Sequence, residues 1–430
     1  KPNIVWSSNP LLIEKISLQN TSSGYKDLKV ELSPNQYGNA VVAVLDEKNT
    51  TLWSWLIWAP KQDPTEQSIT YKTETSENTT NIVNLTKSGL PPLTTVFMDR
   101  NLGALEAFPL GLSTSPNNSA LLELAKESSG LQFQWGRKDP IPSFVKPDGS
   151  LYDVFINPTI TETGFVSNYR NLSVYEHQNN FTVSNYSKGV HAQNLLKQEK
   201  ISKVIEKTIQ NPLSILVESN QIDWLSPVNS LADDRWGHAT EKSIYDPCPE
   251  GWRVPDVSFV YTESSPKFNS NNDPLDARGS SPWYFGNARV NNQQGVPQQL
   301  FFNTETVYKG KNILNGAGIL GWVFNSSDYY IGGFPTTGAR NYKGDNNLPS
   351  EMINFSGIWT SALAERMKGT PLTMLLKNNN LLTASGKYED VYPQAALNVR
   401  CSRDLPRLIE PEVVGGKGRT GQPETKSIFI

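Results

Sequence analysis

The chain has 430 residues, 39 Lys and Arg against 42 Asp and Glu, a formal charge of −3 and only 19% charged residues. That balance, with no basic block, argues against a nucleic-acid partner, and no apolar run approaches the ~18 residues of a membrane-spanning helix, so no transmembrane segment is expected. Abundant Asn, Ser and Thr with 11 Trp point to a β-rich exported protein rather than a cytosolic enzyme, long enough for two or three domains.

Residues 1 to about 60 read as all-β. Leu11–Leu18 and Leu28–Leu32 alternate apolar and polar positions, the period of half-buried strands. A turn at Pro34–Gly38 precedes the continuous apolar run Ala40–Leu45, and Asp46–Asn49 reads as a polar hairpin connection. Thr51–Trp58 brings three tryptophans that can fill a sandwich or bridge to the next unit. Residues 60–92, rich in Thr, Ser, Glu and Asn and ending in Pro91-Pro92, read as a linker or long surface loop.

A new unit opens at Val96–Gly103. Asn117–Lys126 has helical spacing, with Asn118 or Ser119 as the cap. Gly130–Gly136 reads as a short strand, and Arg137–Pro142 as a proline-stiffened turn. Ala192–Ile209 is the longest helical run and stops before Asn211-Pro212. Tyr245–Pro255 carries three prolines and a glycine among buried-type residues and reads as a rigid irregular segment.

From about 256 to 395 the chain reads as loop-rich, with short strands at Gly318–Phe324, Leu372–Leu376 and Gly357–Ser361. Leu397–Cys401 reads as a closing strand. Past Asp404 come a proline-containing stretch, the Gly415–Gly421 linker and the tail Lys426–Ile430. The expected division is therefore 1–92, 93–404 and 405–430.

The chain has two cysteines, Cys248 and Cys401. Prolines flank the first and the second ends a strand-like run, which favours a disulfide over two free thiols; the bond implies an oxidising compartment. Three histidines show no metal-ligand spacing, and neither a phosphate-cradling loop nor a local Ser/His/Asp pattern appears. No cofactor is expected. Asp273, Asp276 and Asp345 lie in amide- and acid-rich clusters that could offer oxygens to calcium, although such clusters usually make turns. Trp283, Tyr284 and Phe285 form an aromatic run suited to sugar stacking or protein contact if exposed, and to a small satellite core if buried. Asp99, Arg100, Arg137, Lys138, Asp139 and Arg253 sit inside apolar segments, where buried Arg–Asp bridges that pin loops are favoured over catalytic carboxylates.

Taken in order, Val96–Ala104, Gly130–Pro140, Lys242–Pro255, Gly357–Ser361 and Val399–Asp404 resemble the Fibrobacter-type major paralogous domain. Gly38–Val44 and Leu52–Trp58 resemble the segment that precedes it in fimbrillin-like surface proteins of the Bacteroidales. The resemblance implies an α+β fold, mainly β and loop: an N-terminal antiparallel, sandwich-like β segment, then a C-type-lectin-like or formylglycine-generating-enzyme-like domain. It implies structural roles for Asp99, Arg100, Trp135, Arg137, Asp139, Trp252, Arg253, Trp359 and Arg400. The chain carries neither the Glu-Pro-Asn and Trp-Asn-Asp signatures of calcium-dependent lectins nor a cysteine pair set aside for oxidase chemistry.

The resulting expectation is a non-catalytic subunit at a fimbrial tip or in a minor pilin position, on the cell surface or outer membrane. Its partners would be other fimbrial subunits and a host or bacterial surface protein or glycan. The alternatives are a glycan-binding lipoprotein for nutrient capture and an oxidase-related enzyme. For an exported protein, Lys1 is expected to be a processed or trimmed start. Ser427, Ile428, Phe429 and Ile430 are candidate donor-strand residues, with a disordered terminus as the alternative.

Overall fold

The computed structural model describes residues 1–67, 69–72, 94–108, 123–124, 126–142, 153–156, 159–161, 164–166, 169–171, 197–213, 224, 235–238, 241–255, 298–303, 307–308, 311–312, 317–324, 332–335, 337, 355–365, 370–378, 384–390, 393 and 395–403. These residues are mainly β-strands in small, mostly antiparallel sheets, with a helix at Lys197–Gln210 that packs against strand Thr51–Ala59.

The apolar run in the N-terminal region becomes strand Gly38–Leu45, flanked by Pro2–Ser7 and Thr51–Ala59. The run is continuous rather than alternating because both its faces are covered. Ala40 and Val42 join Ile4, Leu12, Ile13 and Ala59 under the hairpin Ile13–Asn20/Lys26–Leu32, which contributes Ile16, Leu28, Val30 and Leu32. Val41, Ala43 and Leu45 face the opposite way with Val5 and Trp6, into a larger core. Leu56 and Trp58 pack on that larger core, whereas Trp55 and Ile57 lie on the hairpin side, so the tryptophan-rich strand serves both layers.

Hydrogen bonding crosses the division expected at 92/93. Trp6 pairs with Ile156 and Ser7 with Phe155, which adds Asp153–Ile156 and then Tyr169–Asn171 to the N-terminal sheet. The reading of 60–92 as linker needs correction at Ile69–Lys72. That stretch is a strand, with Thr70 opposite Val96 in Thr94–Phe97.

Two further sheets carry the sequence motifs. One runs in the order Ala384–Asp390, Thr370–Asn378, Phe355–Glu365, Ala396–Asn398, Leu131–Gln134, Ile141–Pro142. Its parallel contact is Ile358 opposite Asn398. The other runs Trp252–Arg253, Ser402–Arg403, Thr94–Phe97, Ile69–Lys72. The region 256–395, expected to be loop-rich, therefore holds longer strands than its composition suggested, including Ala384–Asp390. The larger core lies where these sheets meet. Trp6, Trp135, Trp236 and Trp359 are among its largest fully buried side chains.

Candidate functional site

Cys248 and Cys401 are bonded, with Cα atoms 5.8 Å apart and exposures of 1% and 0%. Around the bond, the irregular segment is held by its own side chains. The Asp246 carboxylate accepts from the Cys248 N–H at 2.8 Å and from the Val254 N–H at 2.9 Å. These bonds replace the partners that a proline-rich backbone cannot find in a ladder. Burial pushes the Asp246 pKa upward, against the fields of Lys242 and Arg253 and the two N–H bonds that favour the anion. Trp252 then pairs with Arg403 and Arg253 with Ser402, joining the turn to the end of the chain's closing segment. The Arg403 guanidinium lies 5.5 Å from the centroid of Trp252.

The charged motif residues occupy interior positions. Arg100 is 1% exposed, forks onto Asp99 at 2.7 and 3.0 Å, and donates to the Leu105 carbonyl at 2.9 Å. Arg400 is fully buried and donates to Asn101 Oδ1 at 3.2 Å. Arg253 is 1% exposed, and its carbonyl accepts from Ser402 Oγ at 3.5 Å.

The expectation of Arg–Asp bridges holds at Arg100 but needs correction at Asp139, whose ion-pair partner is Lys138, at 2.8 Å. Arg137 instead donates to Gln134 Oε1 at 2.9 Å and to the carbonyls of Asn211 and Pro212 at the end of the helix. That arrangement ties the Leu131–Gln134 strand to the helix stop.

Lys138, Asp139 and Ser54 form one buried cluster. Lys138 Nζ also donates to Ser54 Oγ and, at 2.9 Å, to the Ser54 carbonyl, and lies 4.5 Å from the Trp53 ring centroid. Ser54 Oγ donates to Asp139 Oδ1 at 2.6 Å. The Ser54 hydroxyl bridges the carboxylate, to which it donates, and the ammonium, from which it accepts. Burial pushes the Lys138 pKa down, against the field of Asp139. With Ser54 at 2% exposure, this geometry pins strand Thr51–Ala59 to the Lys138-Asp139 bend that precedes strand Ile141–Pro142.

The tryptophans complete the interior. Trp135 Nε1 donates to the Thr360 carbonyl at 2.9 Å and Trp359 Nε1 to the Phe133 carbonyl at 2.6 Å. Trp236 Nε1 donates to the Arg137 carbonyl at 3.1 Å and Trp224 Nε1 to the Trp135 carbonyl at 2.9 Å. The Arg235 guanidinium lies 5.0 Å from Trp135 and 4.9 Å from Trp224, within cation–π reach of both.

The structure thus gathers Asp99, Arg100, Trp135, Arg137, Asp139, Cys248, Trp252, Arg253, Trp359, Arg400 and Cys401 around one core. Trp283, Tyr284 and Phe285, the calcium candidates Asp273, Asp276 and Asp345, and the tail residues Ser427, Ile428, Phe429 and Ile430 lie outside the described residues. Sequence reasoning passed over Ser54, Arg235, Lys242 and Asp246. Only Lys242 and Asp246 had a local signal, as charges within the proline-rich motif; Ser54 and Arg235 acquire their roles from distant partners.

Among the described residues no helix is long and apolar enough to cross a membrane. Compared with known proteins, the chain matches no family model, no curated protein and no solved structure.

Proposed function

We propose that this chain is a non-catalytic, exported subunit of a surface fimbrium, acting at the tip or as a minor pilin, which adheres to host or bacterial surfaces and assembles with other pilins. On this reading residues 93–404 form a C-type-lectin-like domain. The observation that carries the proposal is the burial and use of the motif charges. Arg100, Arg137, Asp139, Arg253 and Arg400 are each at most 3% exposed. The Arg100, Arg137 and Arg400 guanidiniums donate to main-chain carbonyls or neighbouring side chains, and Asp139 pairs with Lys138. An interior that holds its ordered motifs in this way is a scaffold, and a scaffold leaves its loops to meet partners. The disulfide agrees with an exported chain.

Immunogold labelling of intact fimbriae, with pull-down of the assembled filaments, tests this. The expected result is label at filament ends or sparsely along shafts, with pilins co-purifying. Label spread over the cell surface without filaments, together with specific hits on a glycan array, would replace the proposal by a glycan-binding lipoprotein for nutrient capture.

A further inference from the structure

The turn Cys248–Trp252 turns three main-chain carbonyls toward one point, and the Lys242 ammonium occupies it. Lys242 Nζ donates to the Cys248 carbonyl, to the Pro249 carbonyl at 2.8 Å and to the Trp252 carbonyl at 2.6 Å. An ammonium has three donors, and here three carbonyl oxygens meet them. The Pro249 carbonyl also accepts from the Trp252 N–H at 3.0 Å, so a main-chain bond closes the turn as well. In the same segment, the buried Asp246 carboxylate takes the Cys248 and Val254 N–H groups, and the Lys242 charge favours its anion. The segment therefore gives amides to an anion and carbonyls to a cation.

We infer that the Cys248–Trp252 turn is a built receptor for a primary ammonium group, which Lys242 fills from within the same chain. The site selects N–H donors as well as charge, because its oxygens are arranged to be hydrogen-bonded rather than merely neutralised. Lys242 is accordingly a positioning residue. It holds the Cys248 carbonyl, and with it the disulfide, against the closing segment.

Chemical rescue tests this on the full chain. Lys242→Ala deletes Cγ, Cδ, Cε and Nζ, the atoms of propylammonium. The expected result is a lowered melting temperature that propylammonium chloride restores by at least half with a saturable dose response, while tetramethylammonium at equal ionic strength restores nothing. Lys242→Met, which keeps the stem and removes the charge, should melt well below the wild type and resist rescue. Equal effects of the two salts, or a Lys242→Met variant as stable as the wild type, would overturn the inference.

If Lys242→Ala does not fold, the native chain supplies the test. Under reductive methylation Lys242 should react at least tenfold more slowly than the exposed Lys15 and Lys48, as read by peptide mass mapping. Labelling of Lys242 at their rate would overturn it equally.

Discussion

Removal of the disulfide is the most quantitative perturbation this fold offers. The bond joins residues separated by 153 positions. In the chain-entropy description, cross-linking a loop of that length restricts the unfolded chain by about 5 kcal/mol. The variant to make is Cys248→Ala with Cys401→Ala. Serine would leave a buried hydroxyl and add its own penalty of about 1–3 kcal/mol, and both positions are at most 1% exposed. At about 2 °C per kcal/mol for a large domain, the double variant should melt roughly 10 °C lower.

Calorimetry under non-reducing conditions reads the shift. A parallel thiol titration of the wild type should find no reactive thiol, even in denaturant, until a reductant is added, because the two cysteines are bonded to each other. A double variant melting within about 2 °C of the wild type would refute the reasoning. It would mean that the Cys248 turn and the closing strand are held together in the unfolded ensemble without the bond.

Asp139→Asn strands the buried Lys138 ammonium and should cost about 3–5 kcal/mol by chemical denaturation; adding Lys138→Met should recover a large part of the loss. Asp246 has a folded-state pKa above its unfolded value, so the folded chain binds this proton more tightly than the open chain does. Its contribution makes stability rise as pH falls through the folded value toward the ordinary carboxylate range. The difference in melting temperature between wild type and Asp246→Asn should therefore change across that acidic window and be flat above it. Gly136 has φ +84°, and a Cβ there would lie 2.3 Å from Arg235 Cδ. Gly136→Ala should cost upwards of ~2 kcal/mol, combining left-handed strain with displacement of Arg235 from between Trp135 and Trp224, and a stability scan with intrinsic tryptophan fluorescence checks both.

Much of the strand content was legible because two-residue alternation and uninterrupted apolar runs are local signals. Leu28–Leu32 and Ala40–Leu45 fall within observed strands, and Lys197–Ile209 of the expected run Ala192–Ile209 falls within the helix Lys197–Gln210, the first five residues of that run lying outside the described ones. Ile69–Lys72 and Ala384–Asp390 were misread for the same reason. Their Thr, Lys, Glu and Asp composition resembles loop, and pairing partners supplied by Thr94–Phe97 and Thr370–Asn378 override propensity.

By itself, the sequence determined that the Tyr245–Pro255 segment is stiff, because proline fixes φ and removes a donor wherever it stands. Two cysteines in strand-like or proline-flanked settings also made a single cross-link the favoured pairing. Only the tertiary structure decided which charges meet. Asp139 is held by Lys138 and Ser54 rather than by Arg137, and Lys242 faces the carbonyls of the turn a few residues ahead. Those choices depend on the direction of each side chain and on which oxygens lose water together. Such facts belong to packed neighbours, some of them more than eighty residues apart, and no local pattern encodes them.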